Sequence, residues 1–271
     1  MSIRAVHHLN CATMCPIGGF LIGSKGWHGL LVCHCLLIET ERDGLVLVDS
    51  GFGTADCAGQ TGVRKAFKAI TQPRFDVSET AIEQVKARGY KPEDVRHIVV
   101  THLDLDHAGG MADFPHAKVH LHQNEHVAAT TRPSRKEKQR YMPAHLAYGP
   151  KFELYAEDGD TWRGLPAVTR LRGVDADIGI VPMHGHTRGH SAIVARNGDR
   201  WLVHAGDAYF HHNTLEGKRA PFGLAVFESS MQMDKAQRRA SAAALQQLKR
   251  SYEDLDIFCA HDPRELDAFT Q

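Results

Sequence analysis

Apolar residues occur along this chain in short, nearly unbroken runs, and the breaks between them fall at turn-forming residues. Leu30 to Glu39 and Leu45 to Asp49 read as two strands. The Thr40-Glu41-Arg42-Asp43-Gly44 stretch between them ends in Asp-Gly, a tight hairpin signal, and Asp49-Ser50-Gly51-Phe52-Gly53 closes the second strand. From Ser78 to Gly89, Ala81, Ile82, Val85 and Ala87 recur near helical spacing. Asp76 and Ser78 are candidate caps and Gly89 is a stop, so a helix is predicted there. His97 to Thr101 is a β-branched run that predicts a buried strand, and Lys118 to His122 predicts another.

Thr131 to Pro150 mixes scattered basic residues with aromatics and shows no clean period, which predicts an irregular insert or lid. Strand runs return at Ile178 to Met183, Ser191 to Arg196 and Trp201 to His204, the last two joined by Asn197-Gly198-Asp199, a second hairpin signal. Met233 to Leu248 predicts a long helix, and Ile257 to Ala260 a final strand. Strands interleaved with helices, with no repeat and no low-complexity linker, predict a single α/β domain over residues 1–271.

Lys plus Arg and Asp plus Glu both number 32, so the formal charge is zero. That balance gives no footprint for nucleic acid or an anionic membrane, and neither partner is expected. No stretch approaches the roughly 18 apolar residues that span a bilayer, and Met1 to Cys11 has no apolar leader core. A soluble, cytoplasmic protein is expected. The six cysteines are too sparse for a disulfide framework and are read as reduced thiols. Cys33-His34-Cys35 alternates as a core strand would. Histidine is the outlier at 19 residues, and neutral imidazole is the commonest metal ligand.

One stretch concentrates that chemistry. Thr101-His102-Leu103-Asp104-Leu105-Asp106-His107-Ala108-Gly109-Gly110 places four possible ligands within six residues, where a buried strand ends. Leu103 and Leu105 point away, His102, Asp104 and Asp106 can converge, and Gly109-Gly110 lets the backbone turn tightly beneath them. Three more strand ends offer groups of the same kind. They are His186 and His190 in Gly-His-Thr-Arg-Gly-His, Asp207 in His-Ala-Gly-Asp-Ala-Tyr, and His261 in Cys-Ala-His-Asp-Pro. Four such ends in one chain are not what a core that avoids buried charge produces by chance.

Together these motifs resemble the metallo-β-lactamase superfamily, whose signature is His-x-His-x-Asp-His followed by later His, Asp and His ligands. The resemblance covers roughly residues 30 to 263 and implies an αββα sandwich: two mixed sheets face to face, helices outside, metals at one sheet edge. It assigns His102 to the first His, Asp106 and His107 to the Asp-His pair, His186 to the next His, Asp207 to the bridging carboxylate and His261 to the last His. Val48-Asp49-Ser50-Gly51 matches the early Asp-x-Gly turn beneath the metals. Asp104 stands where most members carry the second histidine. Diiron members carry a Glu there, so a carboxylate ligand fits, and its hardness tilts the choice from zinc toward iron or manganese.

The resemblance implies two divalent ions, zinc foremost, and a small-molecule substrate attacked by hydroxide bridging the metals. A lactone or ester ranks ahead of a thioester or β-lactam. Asp106 is the expected proton relay. Tyr209, two residues beyond Asp207, is expected to hydrogen-bond the substrate carbonyl, with packing against the lid as its alternative. Tyr141, His145, Tyr148 and Phe152 of the insert are expected to wall an apolar pocket, and Arg132, Arg135, Lys136, Lys138 and Arg140 to form a solvated face or to bind an anionic group. His190 is expected to support the ligands. Two other functions stay open: an iron-containing redox enzyme of the same fold, resting on Asp104, and a phosphodiesterase.

Overall fold

The structure, a computed structural model, describes residues 3–270. Twelve strands form two six-stranded sheets. The first sheet contains, in order, β1 (Ile3–Asn10), β2 (His34–Thr40), β3 (Leu45–Val48), β4 (Val95–Val99), β5 (Lys118–His122) and β6 (Lys151–Tyr155). The second contains β7 (Asp160–Trp162), β8 (Leu165–Arg170), β9 (Ile178–Pro182), β10 (Ser191–Asn197), β11 (Arg200–His204) and β12 (Leu255–Phe258), with β12 and β7 at its edges. Both are mixed: β1 to β3 run antiparallel and β3 to β6 parallel, while β11 and β12 are the parallel pair of an otherwise antiparallel sheet.

Alternation along the strands builds the layers. Leu36 and Ile38 of β2, with Val46, Val48 and Val99, face Ile178, Ile180, Ile193, Leu202 and Phe258 across the middle of the sandwich. The opposite side of the first sheet, through Cys35, Leu37, Leu47, Ile98, Val119 and Leu121, packs on Ala81 and Val85 of the helix Ala81–Ala87 and on Met111 and Phe114. Val181, Val194 and Val203 of the second sheet pack on Leu245 and Leu248 of the helix Lys235–Ser251. With both faces covered, the central strands are apolar throughout, which is why they read as runs and not as alternations.

Most predicted elements stand with shifted ends. The helix expected at Ser78 to Gly89 is Ala81–Ala87, preceded by a 3-10 turn in which Asp76 caps Ser78 N. The long C-terminal helix starts at Lys235 behind the cap Asp234, and both hairpins pair as read. The insert differs from the irregular stretch expected. A helix spans Gln123–Thr131, a capped one spans Arg135–Arg140 and a 3-10 turn spans Pro143–Leu146. Six residues form a single turn and a half, too short to reveal a helical period. Among the described residues no helix is long and apolar enough to cross a membrane.

Candidate metal centre

The C-terminal ends of β3, β4, β11 and β12 lie side by side at one edge of the sandwich, and the β9 to β10 loop folds over them. Every predicted donor sits on one of these ends or on that loop. Past β4 the chain turns sharply: a Cβ on Gly110 would lie 2.4 Å from Ser50 O, and one on Gly109 2.2 Å from the Asp56 carboxylate. Only glycine permits this approach, which swings His102, Asp104, Asp106 and His107 inward.

Asp207 is the hub. Its Oδ2 lies 3.2 Å from His261 Nε2, 3.3 Å from His186 Nε2 and 3.8 Å from His102 Nε2, and its Oδ1 lies 3.3 Å from His107 Nε2. Asp104 Oδ2 lies 3.1 Å from His186 Nε2 and 3.3 Å from His102 Nε2, and Asp106 Oδ2 lies 3.7 Å from His261 Nε2. The donors fall into two triplets, His102, His186 and Asp207, and Asp106, His107 and His261, with Asp207 reaching both. Corners of a tetrahedron around a metal with bonds of ~2.0–2.1 Å are about 3.3 Å apart, so these spacings suit ligands around an ion better than a hydrogen-bonded network.

The orientation of the imidazoles passes the same test. His107 Nδ1 donates to Asp49 at 2.8 Å, His261 Nδ1 donates to Val32 O at 2.8 Å, and His102 Nδ1 meets Thr101 Oγ1 at 3.0 Å. In these three the outer nitrogen is tied and Nε2 is aimed inward, whereas His186 also aims Nε2 inward but its buried Nδ1 has no partner. Buried and without hydrogen-bond partners are His102 Nε2, His107 Nε2, Asp104 Oδ1 and Asp207 Oδ1. Unpaired buried polar atoms are costly, and His102 Nε2, His107 Nε2 and Asp207 Oδ1, which belong to the two triplets, fit bound divalent cations.

The surroundings hold this charge in place. Burial alone would raise the Asp207 carboxyl, but His261, His107 and His186 keep it well below the carboxylate range. Burial opposes charge on His107 and His261 too, and Asp207 outweighs it only together with Cys33 and Asp49 at His107 and with Asp106 at His261, so that both imidazoles are raised. Burial likewise works against Asp104, and the Arg140 guanidinium 3.4 Å away, with His102, draws it well below its usual value. Asp49 supports the base of the site with a backbone in the left-handed region, φ 54°, while its carboxylate accepts from Thr101 N and Thr101 Oγ1 as well as from His107. A non-glycine residue in that region stores strain of the kind found at functional sites.

Some expectations change. Tyr209 does not reach the centre: it is fully buried against the second sheet, and its hydroxyl donates to Glu265 at 3.0 Å. The next residue, Phe210, turns in instead, its ring 4.9 Å from that of His261 and 5.8 Å from that of His186. Five residues past the end of β11 the chain has already turned, so spacing alone could not choose between the neighbours. Tyr141, His145, Tyr148 and Phe152 do not wall the cavity. The three aromatics belong to or pack against the outer core, and His145 bonds Asp56 at 2.9 Å. A cavity of about 80 Å³ over Asp104 and Asp106 is lined instead by Arg64, Phe67, Gln139, Arg140, Met142 and Met231. Arg140, expected on a solvated face, is buried, and its Nη1 also donates to His186 O at 3.0 Å.

His190 supports and does not converge: Nδ1 donates to Met183 O at 2.7 Å and Nε2 accepts from Asp207 N at 2.8 Å. One residue escaped sequence reasoning altogether. Glu125, fully buried, accepts from Leu103 N and from Gly189 N, both at 3.0 Å, joining the two loops that carry most of the donors. A lone glutamate in a polar stretch gives no signal of this.

Residues 28–261 match the family model described as the metallo-beta-lactamase superfamily. The chain belongs to the metallo-β-lactamase superfamily. Among curated members it is 43% identical over 262 residues to a protein named probable metallo-hydrolase from Mycobacterium tuberculosis, covering 95% of this chain and 80% of that one. It is 27% identical over 206 residues to an N-acyl homoserine lactonase of Bacillus cereus, covering 75% of this chain and 73% of the relative. Among solved structures, an N-acyl homoserine lactone hydrolase with N-hexanoyl-L-homoserine at its metal centre superimposes with a TM-score of 0.74 at 20% identity, over 99% of this chain and 97% of the other. At that identity the likeness shows a shared metallo-β-lactamase fold, the αββα sandwich described above.

Proposed function

We propose that this superfamily member is a metal-dependent hydrolase that opens lactones or related esters of small carbonyl compounds at a two-ion centre. The observation that carries the reading is the convergence of seven buried side chains from four segments of the chain at ligand spacing, with His102 Nε2, His107 Nε2, Asp104 Oδ1 and Asp207 Oδ1 left without a hydrogen-bond partner. His102, Asp104, His186 and Asp207 would hold one ion, and Asp106, His107, His261 and Asp207 the other. Bound divalent metal, zinc foremost and iron or manganese where the Asp104 oxygen favours them, supplies a water-derived nucleophile at neutral pH and a Lewis acid for the substrate oxygen.

The protein's own groups then position and exclude. Asp106 lies on the cavity wall, where it can pass a proton to the leaving oxygen. With Tyr209 turned into the core, the polar donors on that wall are Arg64, Gln139 and Arg140, and orienting the substrate falls to them. Phe67, Met142, Met231 and Phe210 keep water from the rest of the cleft. A second cavity of about 190 Å³, to which the helices Lys65–Thr71 and Phe222–Met231 also contribute, is lined by Ile17, Leu21, Ile70, Leu224 and Phe227 among others and offers room for an apolar substituent. The relatives named as lactonases support ranking lactones first.

Elemental mass spectrometry on protein purified without added metal or chelator, paired with pH-stat assays, tests this. About two equivalents of zinc or manganese, with acid release from an N-acyl lactone faster than from a phosphodiester, is the expected result. Iron with oxygen uptake would favour the redox reading, for which the position of Asp104 between His102 and His186 is the supporting observation. A phosphodiester as the better substrate would replace the lactone.

A further inference from the structure

Eight of the eleven strongly exposed large apolar side chains among the described residues belong to three neighbouring stretches, and this clustering needs an explanation. Trp27, Phe20 and Ile17 stand on the loop 16–30, Ile70 on the helix Lys65–Thr71, and Phe222 and Val226 on the helix Phe222–Met231. Trp27 and Phe222 are 68% and 76% exposed. These stretches form one surface. Cys15 N donates to Thr71 O at 2.9 Å, the rings of Phe20 and Trp27 lie 6.0 Å apart, and Leu21 packs so closely on Gly223 that a Cβ there would fall 2.7 Å from its own.

The charge on this surface is one-sided, although the whole chain is neutral. Residues 11–33, 57–75 and 217–227 contain no Asp or Glu. They carry exposed Lys25, Arg64, Lys65, Lys68, Arg74 and Arg219, while Lys218 is paired with Glu216 at 2.7 Å. Exposed aromatics ringed by cations are the pattern of a side that lies on a charged apolar interface. A second copy of this chain is a poor occupant, because a two-fold contact would set these cations against themselves with no carboxylate on the same stretches to pair them.

We propose that this face docks on an anionic lipid surface, with Trp27, Phe20 and Phe222 entering the headgroup region and the Lys and Arg side chains meeting lipid phosphates. The docking holds whatever reaction the centre performs. Its position has a use, however. Lys65–Thr71 sends Ile70 to this face and Phe67 to the cavity over Asp104 and Asp106, and Phe222–Met231 sends Phe222 outward and Met231 to the same cavity. A substrate dissolved in the lipid would reach the metal cleft between two helices without crossing water.

Vesicle co-sedimentation tests this, using phosphatidylcholine alone and phosphatidylcholine with one-third phosphatidylglycerol. The protein is expected to sediment with the anionic vesicles only and to be released by salt. Trp27→Ser with Phe222→Ser should abolish binding, and Lys65→Gln with Lys68→Gln should weaken it on the order of twentyfold, about fivefold per cation. Tryptophan emission should shift to the blue on binding, and Trp27→Phe should remove the shift. Absence of binding to anionic vesicles, or binding untouched by both pairs of substitutions, would overturn the proposal. So would light scattering that shows a dimer dissociated by Trp27→Ser with Phe222→Ser, for then a second copy covers the face.

Discussion

Two clusters of histidines, one fully buried and one that includes the half-buried His8, lie in this fold, and they are opposites. At the strand ends His102, His107, His186 and His261 surround Asp207, and its charge raises His107 and His261. Between the sheets, near β1, His8 meets His34 at 2.7 Å and stacks on Phe269, while His34 stacks on Phe258 with His204 edge-on. Among the described residues no carboxylate hydrogen-bonds to that group, although Asp256 acts on His8 and Asp49 on His204 from a distance. Burial pushes His8 down to about 4 and His34 well below the usual range, and it lowers His204 as well. The same side chain therefore serves as a prospective ligand or as a polar aromatic, and the acid beside it decides which.

The largest expected effect comes from making the first cluster like the second. Asp207→Ala removes the oxygen common to both triplets, and we expect loss of most bound metal and a fall in kcat/KM on the order of a thousandfold or more, read by elemental analysis and turnover. Retention of both ions in that variant would break the ligand assignment. Next is the pairing of Asp104 with Arg140. Arg140→Met leaves a buried carboxylate without its cation and should cost the metal-free protein about 3 kcal/mol in urea unfolding. Adding Asp104→His to that variant should recover most of the loss, because the site then resembles the usual three-histidine form; an additive double-mutant cycle would dissolve the coupling.

Acid tests the second cluster. In the unfolded chain these imidazoles titrate near 6.5, and in the fold His8 does so only near 4. Below pH 6.5 the unfolded state binds more protons, so the stability these histidines contribute is full above 6.5 and is lost as pH falls toward 4. His8→Phe, which keeps the stack on Phe269, should reduce the stability lost between pH 6.5 and 4 by on the order of 1–2 kcal/mol, with the partial exposure of His8 taken into account. An unchanged slope would place the acid sensitivity elsewhere. The smallest effect is expected from Tyr209→Phe: about 1 kcal/mol in stability from the lost bond to Glu265, and an unchanged kcat/KM. A large loss of turnover would restore Tyr209 to the reaction.

These clusters also show what could be read in advance. His102 to His107 is a contiguous stretch followed by Gly109-Gly110, which permit its turn, so its convergence was legible; His186, Asp207 and His261 followed from their places at the ends of apolar runs, and Asp49 only from the family resemblance. The count of 19 histidines was not selective, since His8, His34 and His204 contribute to it while packing between the sheets. Arg140 was hidden because its partner lies 36 positions away and its neighbours are exposed cations. β1 and β8 were missed because paired histidines and a proline interrupt their alternation, and tertiary pairing formed them regardless. The even charge balance likewise concealed a one-sided surface, since acids and bases were summed without regard to position.

The clasp made by Glu125 bears on how long the centre would keep a metal ion. Its carboxylate joins the loop holding His102 and Asp104 to the loop holding His186, and Gly189 approaches so closely that a Cβ there would lie 2.1 Å from Glu125 N. An ion leaves by shedding its ligands one after another, and each shed ligand must swing aside before the next is released. Loops fastened to one carboxylate cannot swing separately, so an ion held between them should exchange slowly even where its equilibrium affinity is ordinary.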